Sequence, residues 1–196
     1  MGKEQINLVY VDDDPEEALS AYLEDEYSND QCDLKLSQVK FECEKGYESL
    51  LTLDEVTAAN VILIDSRLFE NDKVQYDGKF SGEEFRMILR KMFPFIEVLV
   101  ISQNGEDRDY DIVPKHRSES SETAMNYYNR VLKSKIDESI RKVLIFRNIS
   151  KKLGTNNGIE KLLVEKVVNS LNGINDYENL TKCDIDNLIA VFQEIS

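Results

Sequence analysis

The chain has 196 residues and a formal net charge of −14, which suits one large domain or one domain with a small appendage. This acidic balance disfavours nucleic acid as a partner, because contacts with phosphate need a basic surface. The three cysteines are widely spaced and form no C-x-x-C pair, which argues against a disulfide scaffold and a zinc site. No apolar run is long enough for a membrane span. These observations predict a cytoplasmic protein.

Five short segments predict strands, four of them as apolar runs and the second by alternation of apolar and charged residues. They cover Ile6–Val11, residues 39–43, Val61–Ile64, Val98–Ile101 and Tyr110–Val113. Segments with apolar residues at helical spacing begin near Pro15, near Tyr47 and at Glu83, between successive strands. Strands that alternate with helices imply right-handed crossovers and a doubly wound parallel sheet. Only twelve residues separate Ser102 from Lys115, so we expect the fourth helix to be short or missing.

The remainder of the chain is predicted to be helical. One long helix is expected from Ser121 to Leu153, and at about 1.5 Å per residue it would extend beyond the domain or pair with another helix. Two shorter helices are predicted at Gly158–Leu171 and Asp184–Ile195. We therefore divide the chain into an α/β domain (1–120), a linking helix (121–153) and a small helical module (154–196). Residues 151–196 contain five lysines and seven acidic residues, a poor match to a DNA-binding helix-turn-helix.

Acidic residues follow two of the predicted strands. Asp12 and Asp13 come directly after the first strand, and Asp65 follows the third. Because ligand sites in parallel sheets lie beyond the carboxyl ends of the strands, we expect these side chains to converge if the strands are neighbours. Crowded carboxylates repel one another unless a cation neutralises them, and oxygen ligands alone favour Mg²⁺ over Zn²⁺. The sequence therefore predicts a metal-dependent acidic pocket, with Ser102 and Lys115 at the ends of the next two strands.

Five segments, in this order along the chain, resemble the receiver domains of response regulators in two-component signalling. They are Val9–Pro15, Val61–Asp65, residues 78–85, Val98–Ser102 and Val113–Lys115. The resemblance covers residues 5 to about 135, and five motifs in the expected order are more specific than any one of them. It implies a flavodoxin-like sheet with the strand order 2-1-3-4-5. It also implies a protein that is not an enzyme, apart from its own phosphorylation and dephosphorylation.

The resemblance also implies a role for each site residue. Asp65 would be the phosphoacceptor, Ser102 would form a hydrogen bond with the phosphoryl group, and Lys115 would pair with it. The Mg²⁺ ligands would be Asp12, Asp13, Asp65 and the main-chain carbonyl of Arg67. Physical chemistry agrees, because attack by a carboxylate on a phosphorus donor requires the charge of the donor to be neutralised.

The partners implied are a histidine kinase or phosphotransfer protein as phosphodonor, and a protein effector or a second copy of the chain that binds through residues 121–196. DNA and membranes are not expected partners. The added charge on Asp65 would alter how the long helix and the C-terminal helices pack.

Three departures from the receiver pattern are visible. The loop between Asp65 and Gly82 is longer than usual, and the segment before Lys115 is short. Proline usually follows the lysine, whereas here Pro114 precedes it and His116 follows. Tyr110 is the candidate for the aromatic residue often found in the fifth strand.

Two other functions fit part of the pattern. In a phosphatase of the haloacid-dehalogenase type, Asp12 would be the nucleophile and Asp14 the acid/base, with Ser102 and Lys115 as its next motifs. That family also needs paired acids after a further strand, and it leaves Asp65 unexplained. The other possibility is a receiver-like interaction module that is not phosphorylated. His116 is the only histidine, so no Ser-His-Asp or Cys-His catalytic device is available.

Overall fold

A five-stranded parallel sheet forms the centre of the molecule. The computed structural model describes residues 2–46, 48–68, 81–103, 112–117 and 120–154, together with residues 165, 168 and 169. The strand order is β2-β1-β3-β4-β5, with every neighbouring pair parallel. The strands are β1 Glu4–Asp12, β2 Cys32–Lys40, β3 Val61–Asp65, β4 Glu97–Ser102 and β5 Ile112–Pro114. This order confirms the predicted doubly wound, receiver-like fold.

Helices cover both faces of the sheet. They are α1 Glu17–Ala21, continued by a π-helical turn at Tyr22–Glu26, then α2 Glu48–Leu51, α3 Asp54–Thr57, α4 Gly82–Met92, α5 Ala124–Val131 and α6 Lys133–Gly154. The side chains of β1 alternate between the faces. Leu8 and Tyr10 pack in the core formed with α1, α5 and α6, whereas Val9 and Val11 pack in the core formed with α2, α3 and α4.

The second strand begins earlier than predicted. The predicted bounds of 39–43 are wrong apart from Val39 and Lys40, since β2 starts at Cys32 and pairs with β1 at every position from Glu4–Cys32 to Asp12–Lys40. Cys43 lies instead in a 3₁₀ turn, Cys43–Lys45. At the edge of the sheet, β2 buries only Cys32 and Val39 of its nine residues and exposes Asp33, Lys35 and Lys40, so it has no continuous apolar run. Hydrogen bonds to β1 define this strand more than its own hydrophobicity does.

The single helix predicted from Ser121 to Leu153 is also wrong. The structure has α5 and α6 as separate helices on either side of Leu132, whose side chain is fully buried. Instead of extending beyond the domain, α6 lies against the sheet, with Ile136, Ile140 and Val143 in the core. Burial of this apolar stripe stabilises the packed position over an exposed one.

Basic residues near the end of α6 bind the edge of the sheet where the strands begin. Arg147 donates hydrogen bonds to the main-chain carbonyl of Gln5 at 2.8 Å and to Asn60 Oδ1 at 3.0 Å. Its guanidinium and the Lys151 ammonium both pair with Glu4. The basic character of this helix thus serves contacts with acidic and polar groups of the same chain.

Several predictions fall on residues outside the described part. These are the loop beyond residue 68, the fourth-helix segment with Tyr110, and most of both C-terminal helices. Residues 165, 168 and 169 are helical, as predicted for that segment. Among the described helices, none combines the length and the apolar character needed to cross a bilayer.

Candidate functional site

Three carboxylates converge at the carboxyl ends of β1 and β3, as predicted. Oxygen atoms of Asp12, Asp13 and Asp65 all lie within 4.8 Å of one another. The two strands are direct neighbours, with Val11 of β1 opposite Ile64 of β3. Asp12 and Asp65 are buried, and Asp13 is partly exposed. The local structure therefore concentrates negative charge in a site that is largely removed from water.

Lys115 lies between two of these acids. Its Nζ is 2.8 Å from Asp12 Oδ2 and 2.7 Å from Asp65 Oδ1, and the side chain is buried. The strand pairing that brings it there ends in a hydrogen bond from the Lys115 main-chain N–H to the Ser102 carbonyl at 2.8 Å. The structure thus places Lys115 beside the acids even though Pro114 precedes it.

The electrostatics of the pair follow from burial. Burial raises the pKa of the Asp65 carboxyl, and the nearby charge of Asp12 adds to this, whereas Lys115 and the Arg67 main-chain N–H act in the opposite direction. Burial lowers the pKa of Lys115, but the hydrogen bonds and charges of Asp12 and Asp65 outweigh it, so that this pKa lies above its ordinary value. The lysine is therefore a permanent cation next to a carboxylate that is costly to ionise.

Asp12 is held on both of its oxygens. The Tyr10 hydroxyl donates to Asp12 Oδ2 at 2.6 Å, and the Asp14 main-chain N–H donates to Oδ1 at 3.0 Å. Tyr10 was not among the predicted site residues. Its contact with Asp12 could have been predicted from its position two residues earlier on the same strand, since residues i and i+2 of a strand lie on the same face.

Ser102 lies at the same edge and contacts a residue that the sequence did not single out. The Ser66 hydroxyl donates to Ser102 Oγ at 2.6 Å, and both side chains are buried. The main-chain N–H of Arg67 donates to Asp65 Oδ2 at 2.7 Å, while the predicted role of its carbonyl as a metal ligand stays a prediction.

Helix α4 begins directly against the main chain of Asp65. The Gly82 N–H donates to the Ser66 carbonyl at 2.9 Å. A Cβ atom at position 82 would lie 2.1 Å from the Asp65 carbonyl oxygen, so only glycine fits. The helix start is stabilised by a capping box between Ser81 and Glu84. The main chain of Asp65, the last residue of the buried strand β3, is therefore in direct contact with the start of α4.

The donor set fits a hard divalent cation. Three carboxylates meet here without a thiolate or imidazole among the described residues that converge, and oxygen donors of this kind are the ligands that Mg²⁺ prefers. One lysine does not neutralise three acids. Asp12, Asp13 and Asp65 could therefore hold Mg²⁺, which would supply positive charge to stabilise a phosphoryl group.

The geometry weakens the phosphatase alternative. Asp14, which would be its acid/base, is exposed and is not among the three acids that converge. The described residues after Lys115 lead into α5 and α6, and residues 120–154 contain no strand that ends in paired acids. Asp65, which that alternative leaves unexplained, belongs to the cluster.

No protein-family model and no curated protein matches this chain. Among solved structures, it is similar to the two-component response regulator RcsB in a complex with DNA, with 14% identity, a TM-score of 0.38 and coverage of 87% of this chain and 93% of that chain. A second similar structure is the RcsB response regulator of Salmonella typhimurium, with 12% identity, a TM-score of 0.35 and coverage of 96% and 99%. The five-stranded parallel sheet, with its order 2-1-3-4-5, fits a receiver domain.

Proposed function

We propose that the protein is a response regulator whose Asp65 accepts a phosphoryl group from a histidine kinase or a phosphotransfer protein. The observation that carries this proposal is the buried Asp65 carboxylate, which faces two further acids and pairs with Lys115. A buried acid next to both a lysine and a potential cation site has what phosphoryl transfer requires: a nucleophile and positive charge for the phosphate oxygens.

The reaction would proceed by displacement at phosphorus. An Asp65 carboxylate oxygen would form a bond to phosphorus while the phosphorus–nitrogen bond to the donor histidine breaks. The imidazole would leave with the bonding electron pair and take up a proton. Lys115 would pair with a phosphoryl oxygen, and the Ser102 hydroxyl would turn from Ser66 towards the new group. Hydrolysis of the acyl phosphate would return the carboxylate. Beyond this phosphorylation and dephosphorylation of its own aspartate, we propose no enzymatic activity.

The output would follow from the added charge. Phosphorylation introduces negative charge and acceptor oxygens at a site where Lys115 already bridges two acids. Residues 121–196 would then change their packing and bind a protein effector or a second copy of the chain. The net charge of −14 favours a protein over DNA as the target. Hydrogen exchange with and without beryllofluoride tests this, and equal protection across 121–196 in both states would count against it.

Beryllofluoride, which mimics a phosphoryl group on aspartate, provides the direct test. We expect binding that requires Mg²⁺ and is lost in Asp65→Asn. Asp33→Asn is the matched control, because Asp33 is exposed on β2 and is not among the converging acids. Ester hydrolysis that disappears in Asp12→Asn would instead support the phosphatase. A wild-type protein without Mg²⁺-dependent binding would support the interaction module.

A further inference from the structure

Two consecutive tyrosines of α5 hold the main chain on either side of Lys115. The Tyr127 hydroxyl donates a hydrogen bond to the Pro114 carbonyl at 3.1 Å. The His116 main-chain N–H donates to the Tyr128 hydroxyl oxygen at 3.1 Å. The residues before and after the lysine are therefore both attached to the same helix.

The Tyr128 hydroxyl is itself fixed. It is buried, and besides accepting from His116 it donates to Glu16 Oε2 at 2.9 Å. The Glu16 main-chain N–H donates to the Tyr10 hydroxyl at 3.2 Å, and that hydroxyl donates to Asp12. A continuous set of hydrogen bonds thus joins the main chain next to Lys115 to one of the acids that its ammonium contacts.

Lys115 needs such support because its strand supplies little. β5 has three residues and lies at the edge of the sheet, where β4 is its one neighbouring strand in the described part of the chain. A lysine side chain is a flexible four-carbon stem with several rotamers, so the position of its main chain decides which atoms the ammonium reaches. In this chain the residue after Lys115 is His116 and not the proline of the receiver pattern. The main chain after the lysine is therefore held by the hydrogen bond from the His116 N–H to Tyr128 and not by the rigid ring of a proline.

We propose that Tyr127 and Tyr128 are positioning residues that hold Lys115 in place to receive the phosphoryl group. This inference rests on the proposed function of Asp65. Tyr128 acts on the lysine through the His116 N–H and Tyr127 acts through the Pro114 carbonyl. The hydrogen bonds of the two hydroxyls go to the main chain and to Glu16, and none goes to Asp65 or to the Lys115 ammonium.

Tyr128→Phe removes the hydroxyl and keeps the ring, which packs against Tyr22 with centroids 5.6 Å apart. Tyr22→Phe is the matched control, since Tyr22 is buried in the same core and its hydroxyl has no hydrogen-bond partner among the described residues. We expect Tyr128→Phe to weaken beryllofluoride binding at saturating Mg²⁺ by about tenfold, as loss of a hydrogen bond to a partly buried N–H implies. Tyr22→Phe should bind like the wild type, and Mg²⁺ affinity alone should be unchanged in both variants.

A double-mutant cycle separates positioning from general damage. If Tyr128 acts through Lys115, then Tyr128→Phe should have no further effect on beryllofluoride affinity in a Lys115→Ala background. An equal loss in both backgrounds, or no loss in the wild-type background, would overturn the proposal.

The lysine can also be observed without any phosphate analogue. The Lys115 ammonium resonance is identified by its disappearance in Lys115→Ala, and we expect it to shift in Tyr128→Phe and not in Tyr22→Phe. A resonance that is unchanged in Tyr128→Phe would refute the positioning role, whether or not the protein binds beryllofluoride. If the wild type shows no Mg²⁺-dependent beryllofluoride binding but the resonance shifts in Tyr128→Phe, the proposed function would be contradicted and the positioning of Lys115 by Tyr128 would stand.

Discussion

Replacement of Lys115 by methionine removes the cation between two buried carboxylates. Lys115 Nζ is 2.8 Å from Asp12 Oδ2 and 2.7 Å from Asp65 Oδ1, and methionine keeps most of the side-chain length. Removal of one partner of a buried ion pair costs about 3–5 kcal/mol, because a charge remains buried without compensation. Since single domains have a total stability of about 5–15 kcal/mol, this loss should be readily measured.

Urea denaturation followed by far-ultraviolet circular dichroism measures the effect. We expect Lys115→Met to lose about 3–5 kcal/mol without Mg²⁺ and to recover part of this when Mg²⁺ binds the native state and replaces the missing charge. Lys142→Met is the matched control. The Lys142 side chain is partly exposed and pairs at 3.6 Å with Glu97 and at 3.4 Å with Glu138, so its replacement should cost at most about 1 kcal/mol.

The dependence on pH gives a second check. Burial already raises the pKa of Asp65, and loss of the lysine should raise it further. An acid whose pKa is raised on folding contributes stability at low pH and loses it as the pH rises through the folded-state pKa. The deficit of Lys115→Met should therefore shrink as the pH falls from about 7 to about 5. A deficit below about 1 kcal/mol at neutral pH, or one that grows on acidification, would refute this reasoning.

Two further predictions concern stability. Gly82→Ala should lower the free energy of unfolding by about 1–3 kcal/mol or more, since its Cβ would lie 2.1 Å from the Asp65 carbonyl oxygen. Gly2→Ala is the control and should be neutral, because a Cβ atom added there would meet nothing within 4 Å. The urea midpoints of the two variants measure the difference. Hydrogen bonds from two basic side chains of α6, opposed by burial, lower the pKa of Glu4, so Glu4→Gln should cost at most about 1 kcal/mol at neutral pH. That difference from the wild type should disappear as the pH falls through the lowered pKa, and a difference that persists in acid would contradict the assignment.

The elements that could be predicted are those whose sequence pattern is local. β3 and β4 are continuous apolar runs because parallel strands with helices on both faces bury every residue, and all five positions of β3 are buried. α4 combines a capping box with an apolar stripe that includes Phe85 and Leu89. By contrast, β2 depends on pairing with β1, and the division of the last helix depends on how Leu132 packs. Neither is visible in a short window of sequence.

The sequence alone determined that the three acids lie at the carboxyl ends of two buried strands, and it predicted their convergence on the condition that these strands are neighbours. The sheet order met that condition, since β1 and β3 pair directly. Only the tertiary structure decided what surrounds them. The Lys115–Asp12 pair joins residues 103 positions apart, and the Tyr128–Glu16 bond joins residues 112 positions apart. Contacts at such separations arise because the sheet order brings the carboxyl ends of β1, β3 and β5 to one edge, and because α5 packs against α1. The pattern of either segment by itself does not contain them.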